Sequence, residues 1–302
     1  MTTDAQALLP GLEPDPEVEA HPVVTAVREL AEQLLAPSAA EVDATAVPRS
    51  HLDALGAAGV LGLAVDDAVP PAVVRRVNEL LAGADLSTWF VQAQHHYPVR
   101  LLASTGARPD VLAALTSGRA VAGIAFSHLR RRPQRVLAAR SDGDGWTFTG
   151  TAPWYTGWGL NDVALVAGLT DDDRAVFALV EPREGPYVQA GPLLRTAALA
   201  AARTVVLTLD ELPVPADAVV VVQPAAQWAA GDALITVNAP PAVFGLAESA
   251  LRLLAEHGVR RGQPAALEAA RALAARMGAV RARAYALLDG AAPEEGLDER
   301  LE

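Results

Sequence analysis

Apolar residues fall at Val24, Val27, Leu30, Ala31, Leu34 and Leu35, the three-and-four spacing of one helical face, and Pro37 closes the run. The spacing returns from Pro48 with Leu52 and Leu55, and near Pro71 with Val73, Val74, Val77, Leu80 and Leu81. It returns again after Asp85, and from Pro109 with Val111, Leu112 and Leu115 up to Gly118. Proline suits a first helical turn because the N–H it lacks has no partner there. The first third of the chain is therefore expected to be helical. From Val121 the period drops to two. "WTFTG", "DVALVAGL", "RAVFALVE" and "TVVLTLDEL" are short β-branched runs separated by "SDGDG", "TDDD" and "EPREGP", which carry turn chemistry. After Gln227 the helical spacing resumes, with Val243, Leu246, Ala247, Ala250, Leu251 and Leu254, then Leu267, Ala270, Leu273, Ala274, Met277, Val280, Ala284 and Leu287.

The expected fold class is α+β: an N-terminal helical domain, a central antiparallel β-barrel-like domain and an incomplete C-terminal helical bundle. Its boundaries are read as a disordered leader over 1–22, helices over 23–120, the β-domain over 121–226 and a truncated helical domain over 227–302. Length supports several modules, since 302 residues is about twice a common domain size. With 24 basic and 36 acidic residues the net charge is −12, which speaks against nucleic acid or an anionic membrane as partner. Cysteine is absent, so neither disulfides nor thiolate metal sites arise. No apolar run approaches membrane-spanning length, and the acidic, proline-containing start has no signal-peptide pattern. A cytoplasmic protein is expected.

The stretch Thr151-Ala152-Pro153-Trp154-Tyr155-Thr156-Gly157-Trp158-Gly159 gathers two of the five tryptophans, a tyrosine, two hydroxyls and two glycines. Taken alone, such aromatics cap a core as readily as they present a surface. Its neighbours decide the reading. "HLDALGAAGVLGLAV" (His51 to Val65), "AGIAFSHL" (Ala122 to Leu129), "GWTFTGTAPWYTGWGLNDVALVAG" and "LDELPVPADAVV" (Leu209 to Val220) occur in this order within a helical, β, helical arrangement. Together they resemble the acyl-CoA dehydrogenase family over roughly residues 23 to 290. The resemblance implies FAD as cofactor, an acyl-CoA thioester as substrate and an electron-transfer protein as acceptor. It also implies a homo-oligomer or an assembly with a related subunit.

By that resemblance Trp154-Tyr155-Thr156 stands at the family's Trp-Ile-Thr/Ser flavin motif, and Phe126 with Ser127 at the end of its first flavin strand. The implied cofactor-binding set is Phe126, Ser127, Trp154, Tyr155 and Thr156. A flavin ring system is flat and largely apolar with a polar edge, so it calls for an aromatic face and a hydrogen-bond donor. Trp154 supplies the face. Thr156, two residues on and so on the same side of an extended strand, supplies the donor. Tyr155 and Trp158 are read as pointing the other way, toward core packing.

Departures from the family pattern bear on catalysis. Where the family has a Glu-Pro and then a Gly-Ser-Asp for the cofactor pyrophosphate, this chain reads Ser127-His128-Leu129-Arg130-Arg131-Arg132-Pro133-Gln134-Arg135. The arginines either replace the missing serine donor, since guanidinium pairs well with phosphate, or form a solvated basic turn. His128 is expected to pack or face solvent. The reaction needs a carboxylate to remove an α-proton, yet one family position for it is Ile235 and the distal one lies past residue 302. Asp232 and Glu248 are the nearest acids and are expected to face solvent; no catalytic residue is assigned. Two function classes follow. One is a flavin-dependent oxidoreductase acting on CH–CH bonds of acyl-CoA thioesters, by α-proton abstraction with β-hydride transfer to FAD. The other is a non-catalytic subunit that uses the fold for partner binding; a flavin monooxygenase on the same scaffold is a further alternative.

Overall fold

The computed structural model describes residues 9–13, 15–236 and 238–290. Its helices are α1 (Pro16–Glu19), α2 (Pro22–Leu30), α3 (Ala36–Ala44), α4 (Arg49–Ala57), α5 (Pro71–Ala84), α6 (Leu86–Thr105), α7 (Pro109–Thr116), α8 (Ala225–Thr236), α9 (Pro241–Arg261) and α10 (Pro264–Gly290). Its strands are β1 (Ala122–Ala125), β2 (Leu137–Asp142), β3 (Gly145–Tyr155), β4 (Val163–Leu169), β5 (Arg174–Val180), β6 (Val188–Ala190), β7 (Val205–Val214) and β8 (Val219–Pro224). Helices, a central sheet and helices again make the architecture that the periodicity and the family resemblance imply. The prolines at 22, 71, 109 and 241 sit in first turns, and Pro48 caps α4.

Pro37 does not end its helix. Residues Ala31–Leu35 form a π-turn, in which the N–H of Ala36 bonds to the carbonyl of Ala31, and the chain continues as α3 through Pro37. The wider turn accommodates a ring that cannot donate and that crowds the preceding carbonyls. At the N-terminus, the part of the expected leader over residues 1–8 lies outside the described residues. Leu9 and Leu12 are buried against Leu251, Ala255, Ala270 and Ala274.

The chain divides into two compact units. One joins Pro37–Val69 with Ser87–Gly231 and contains the whole sheet. The strand order is β6-β7-β3-β2-β4-β5-β8, with β1 added on β4. The sheet is mixed where alternation suggested only antiparallel pairing: β1 runs parallel to β4, and β2 meets β4 in parallel at Ala138 and Leu169. Alternation does fix the two cores. Ala164, Val166, Val176 and Ala178 enter one cluster with Phe148 and Tyr155. Leu165, Ala167, Ala175 and Phe177 enter the other, with Val99, Leu102 and Leu115 from the helices. Strands β4 and β5 are thus covered on both faces, which explains why they read as nearly continuous apolar runs.

The second unit is helical, drawn from the chain up to Ala36, from Pro70–Leu86 and from Asp232 onward. Its α5 and α9 touch at two glycines. A Cβ on Gly245 would lie 2.0 Å from the carbonyl oxygen of Glu79, and one on Gly83 would lie 2.9 Å from that of Gly245. Backbone-to-backbone contact of this kind brings long side chains on either side of the crossing together.

Burial in the sheet unit also fixes two histidines as neutral bases. The N–H of Ala122 donates to Nδ1 of His95 at 3.0 Å, and Nε2 of His128 donates to the carbonyl of Ala167 at 2.8 Å. Burial pushes each of these pKa values down to about 4. The folded pKa lies below the ordinary value near 6.5, so the unfolded chain takes up protons first on acidification. The stability involved is complete above pH 6.5 and is lost as pH falls toward 4, at about 2 kcal/mol per histidine between pH 6.5 and 5. Urea unfolding of the chain at these two pH values is expected to show that loss. An unfolding midpoint that does not change over the interval contradicts it.

Candidate functional site

Strand β3 ends at Tyr155 and a tight turn follows. The N–H of Gly157 donates to Ala202 O (2.9 Å) and that of Trp158 to Arg203 O (3.1 Å), while Leu160 and Asn161 both donate back to Gly157 O. Gly157 and Gly159 adopt φ of 82° and 77°, a region that side chains disfavour. Asn161 closes the turn: its buried Nδ2 donates to the hydroxyl of Tyr155 at 3.0 Å and to the carbonyl of Thr156 at 2.8 Å. Room for this amide comes from missing side chains. A Cβ on Gly157 would fall 2.5 Å from Nδ2, and one on Gly123 of β1 would fall 2.2 Å from it and 3.0 Å from the Tyr155 ring.

The five residues of the implied flavin set are placed unequally. Trp154 is 47% exposed and turns away from the core. Tyr155 is fully buried, packed edge-on to Trp158 at 6.2 Å, and burial raises its pKa well above the ordinary value. Thr156 lies beyond the strand end, buried, with its hydroxyl 3.1 Å from that of Thr204. The two-residue alternation that sets Trp154 and Thr156 on one side therefore stops short of Thr156. Phe126 is buried among Tyr97, Phe177 and Trp228, with ring centroids 4.7, 5.6 and 6.0 Å away. Ser127, half-buried, opens a 3₁₀ turn (Ser127–Arg131) that packs beside β3. The structure thus brings the turn at Ser127 next to the strand that carries Trp154, while the rings of Phe126 and Tyr155 belong to the two cores.

Two of the four arginines engage the acidic β4–β5 turn: Arg132 pairs with Asp173 and Arg135 with Asp171. His128 is buried rather than solvent-facing. Among the described residues no group of three histidines or acids could hold a metal ion.

Of the two acids named near α9, Asp232 is half-buried and Glu248 departs sharply from expectation. Ile235 is 58% exposed and carries no proton acceptor. Glu248, expected at the surface, is 5% exposed. Its Oε1 accepts from Nε and Nη2 of Arg252 at 3.2 and 2.5 Å, and its Oε2 lies 3.5 Å from both Arg76 and Arg281. Glu79, 4% exposed, joins the same network through Arg76 (3.0 Å) and the hydroxyl of Tyr285 (2.6 Å). A buried carboxylate persists only when paired, so Glu248 is committed to guanidinium partners. Two pairs at helical spacing, Arg76 with Glu79 and Glu248 with Arg252, were the sequence signal for this network. Thr204 and Gly123 carry no such signal, because each matters only through residues distant in the chain; Asn161 acts five and six residues back, on Thr156 and Tyr155.

No family model matches the chain. A probable acyl-CoA dehydrogenase, fadE25 of Mycobacterium bovis, is 27% identical over 214 residues, which cover 65% of this chain and 54% of that protein. The chain spans about half the length of the curated relatives it matches. A glutaryl-CoA dehydrogenase from Mycobacterium smegmatis, solved in complex with FADH2, superposes with a TM-score of 0.63 at 21% identity, over 99% of this chain and 92% of that one. KijD3 in complex with dTDP superposes with a TM-score of 0.68 at 20% identity, over 96% and 80%. The fold alone therefore does not select a ligand. By fold, and by the relatives its sequence finds, the chain is similar to the acyl-CoA dehydrogenases.

Proposed function

We propose that the chain is a flavoprotein subunit of acyl-CoA dehydrogenase type, which binds FAD at the end of β3 and acts on an acyl-CoA thioester. The observation that carries this reading is Trp154: a large ring held 47% exposed on a strand whose next residue is fully buried. A flat indole face presented at a strand end is a surface that the ring system of a flavin can cover. The turn closed by Asn161 holds that strand end rigid, and Ser127 offers a hydroxyl from the neighbouring 3₁₀ turn. FAD, when bound, supplies a two-electron acceptor for oxidation of a CH–CH bond. The buried hydroxyls of Thr156 and Thr204 bond to one another, so in this reading Thr156 orients the turn, and the donor to the flavin edge comes from Ser127 or from backbone.

The α-proton needs an acceptor, and neither Ile235 nor the arginine-bound Glu248 provides one. In this reading the base is supplied by a residue of another subunit. The same observation favours a second reading, in which the chain keeps the fold and lends it to a partner without turning over. Assembly is part of both. Val243, Leu246 and Leu253 of α9 are 54%, 44% and 65% exposed and recur at helical spacing, a stripe suited to burial against another copy or a related subunit.

Three outcomes are expected. Purified chain incubated with FAD and passed through gel filtration is expected to retain the yellow cofactor, and Trp154→Ala to weaken retention about tenfold, a loss of about 1.4 kcal/mol; a correctly folded protein that stays colourless overturns the flavoprotein reading. Light scattering at micromolar concentration is expected to give a dimer or larger, against a strict monomer. Anaerobic mixing of the FAD-loaded 302-residue chain with short, medium and branched acyl-CoAs is expected to bleach the flavin at least 10²-fold more slowly than an enzyme with its base in place, since general-base catalysis commonly contributes about 10²–10⁴-fold. Full-rate bleaching by the chain alone would mean that a base is present after all, and recovery only with a second subunit separates the catalytic reading from the partner-binding one.

A further inference from the structure

Thr156 is 6% exposed, and its polar groups are unequally satisfied. Its carbonyl accepts from Nδ2 of Asn161 at 2.8 Å, and its hydroxyl meets that of Thr204 at 3.1 Å. Its N–H has no acceptor among the described residues. A buried N–H without one is rare in a folded chain. The direction of this N–H follows from the pairing of β3 with β7. Val206 accepts from Gly191 and so faces away from β3, which turns Val205 toward its partner Tyr155. One residue further along, the N–H of Thr156 then faces away from β7. That is the side from which Asn161 and Gly123 of β1 approach.

Asn161 is buried at this turn in a form that stability alone does not favour. Its Nδ2 is used twice, by the Tyr155 hydroxyl and the Thr156 carbonyl, whereas its Oδ1 is buried with no partner. An unmatched buried acceptor costs free energy. The amide also needs Gly123 and Gly157 to lack side chains, the second at a φ of 82°. Phenylalanine at 155 and an aliphatic residue at 161 would fill the same space with no polar atom to satisfy. What the amide adds is direction. It holds the side chain before Thr156 and the carbonyl after it, and a planar peptide held in this way leaves its N–H one orientation.

We propose that Asn161 is a positioning residue, which aims the free N–H of Thr156 at the polar edge of the flavin. The inference rests on the flavoprotein reading of this strand end and deepens it, by naming the backbone donor and the side chain that sets its direction. The ring system offers hydrogen-bond acceptors along that edge, so one N–H aimed at it forms one bond. The hydroxyl of Ser127 rotates to suit its surroundings. A peptide N–H cannot, and its aim is only as good as the turn that carries it.

The test uses the full chain, with FAD affinity read by titration and amide hydrogen exchange read at Thr156. In the unaltered chain FAD is expected to slow exchange of the Thr156 N–H. Asn161→Ala is expected to abolish that protection and to weaken FAD about tenfold, the loss of about one hydrogen bond, while Ala152, paired with Leu207, exchanges as before. Arg49→Gln is the control, since it releases the same turn at Leu160 and Asp162 without touching Thr156. It is expected to lower Tm and leave FAD affinity and Thr156 protection unchanged. Asn161→Asp adds a pH profile. Only its protonated carboxyl can donate to the Thr156 carbonyl, so its FAD affinity relative to the unaltered chain is expected to recover as pH falls. Protection of Thr156 that survives Asn161→Ala, or equal losses in Arg49→Gln, overturns the positioning role and leaves the flavoprotein reading standing. If Asn161→Ala fails to fold, Asn161→Asp decides, and a relative affinity that does not change with pH overturns the role. Unaltered, folded chain that takes up no FAD overturns both readings, and does so before any variant is made.

Discussion

A charge taken out of water must find its opposite, and in the helical unit that constraint organises everything else. Glu79 and Glu248 are almost fully buried on α5 and α9, and each is matched by the guanidiniums that reach it. Those guanidiniums come from three helices: Arg76 from α5, Arg252 from α9 and Arg281 from α10. The glycine contact of α5 with α9 lets the backbones meet closely enough for such pairing. Shifting either helix by one residue along its axis would leave at least one carboxylate bare. The network therefore fixes the register of the helices more sharply than their apolar stripes could, since apolar contacts tolerate sliding.

The sheet unit solves the opposite problem. Strands β4 and β5 have almost nothing polar to satisfy beyond their own backbones, and they are buried on both faces by two separate apolar clusters. Polar side chains gather instead at the strand ends, where Asn161 ties Tyr155 to Thr156 and Arg49 reaches Leu160 O and both oxygens of Asp162. Asp162 in turn accepts from the N–H of Val121 at 2.7 Å. The exposed indole of Trp154 thus sits next to a polar corner fixed by several side-chain hydrogen bonds.

Much of this was legible in the chain. The helical stripes, the proline starts and the switch of period at Val121 gave the order of elements, because each depends on residues near in sequence. What escaped depends on residues far apart. The parallel pairing of β1 with β4 leaves no local trace, and Pro37 has the sequence character of a stop although the π-turn before it carries the helix through. Glu248 looked solvent-facing because a single acid on a helix usually is; its burial follows from Arg76 and Arg281, which belong to other helices. Trp154 and Tyr155 illustrate both sides, since alternation correctly turned them apart, but the strand ended before the pattern could extend to Thr156. The resemblance implies the flavin set as a group, whereas its members divide among surface, turn and core because each side chain answers to its own neighbours in the fold.

The division of the helical unit into three stretches of chain has a consequence for synthesis. Helix α5 leaves the ribosome carrying Arg76 and Glu79, whereas Glu248, Arg281 and Tyr285 are translated only after the whole sheet unit, Tyr285 lying 206 residues beyond Glu79. At about 5–20 residues per second that interval is roughly 10–40 s. Throughout it, α2 and α5 hold an apolar stripe and a half-matched set of charges with no surface to bury them in, while the intervening sheet can already close. Vectorial folding of this chain thus runs from the middle outward, and its earliest helices are among the last to be satisfied.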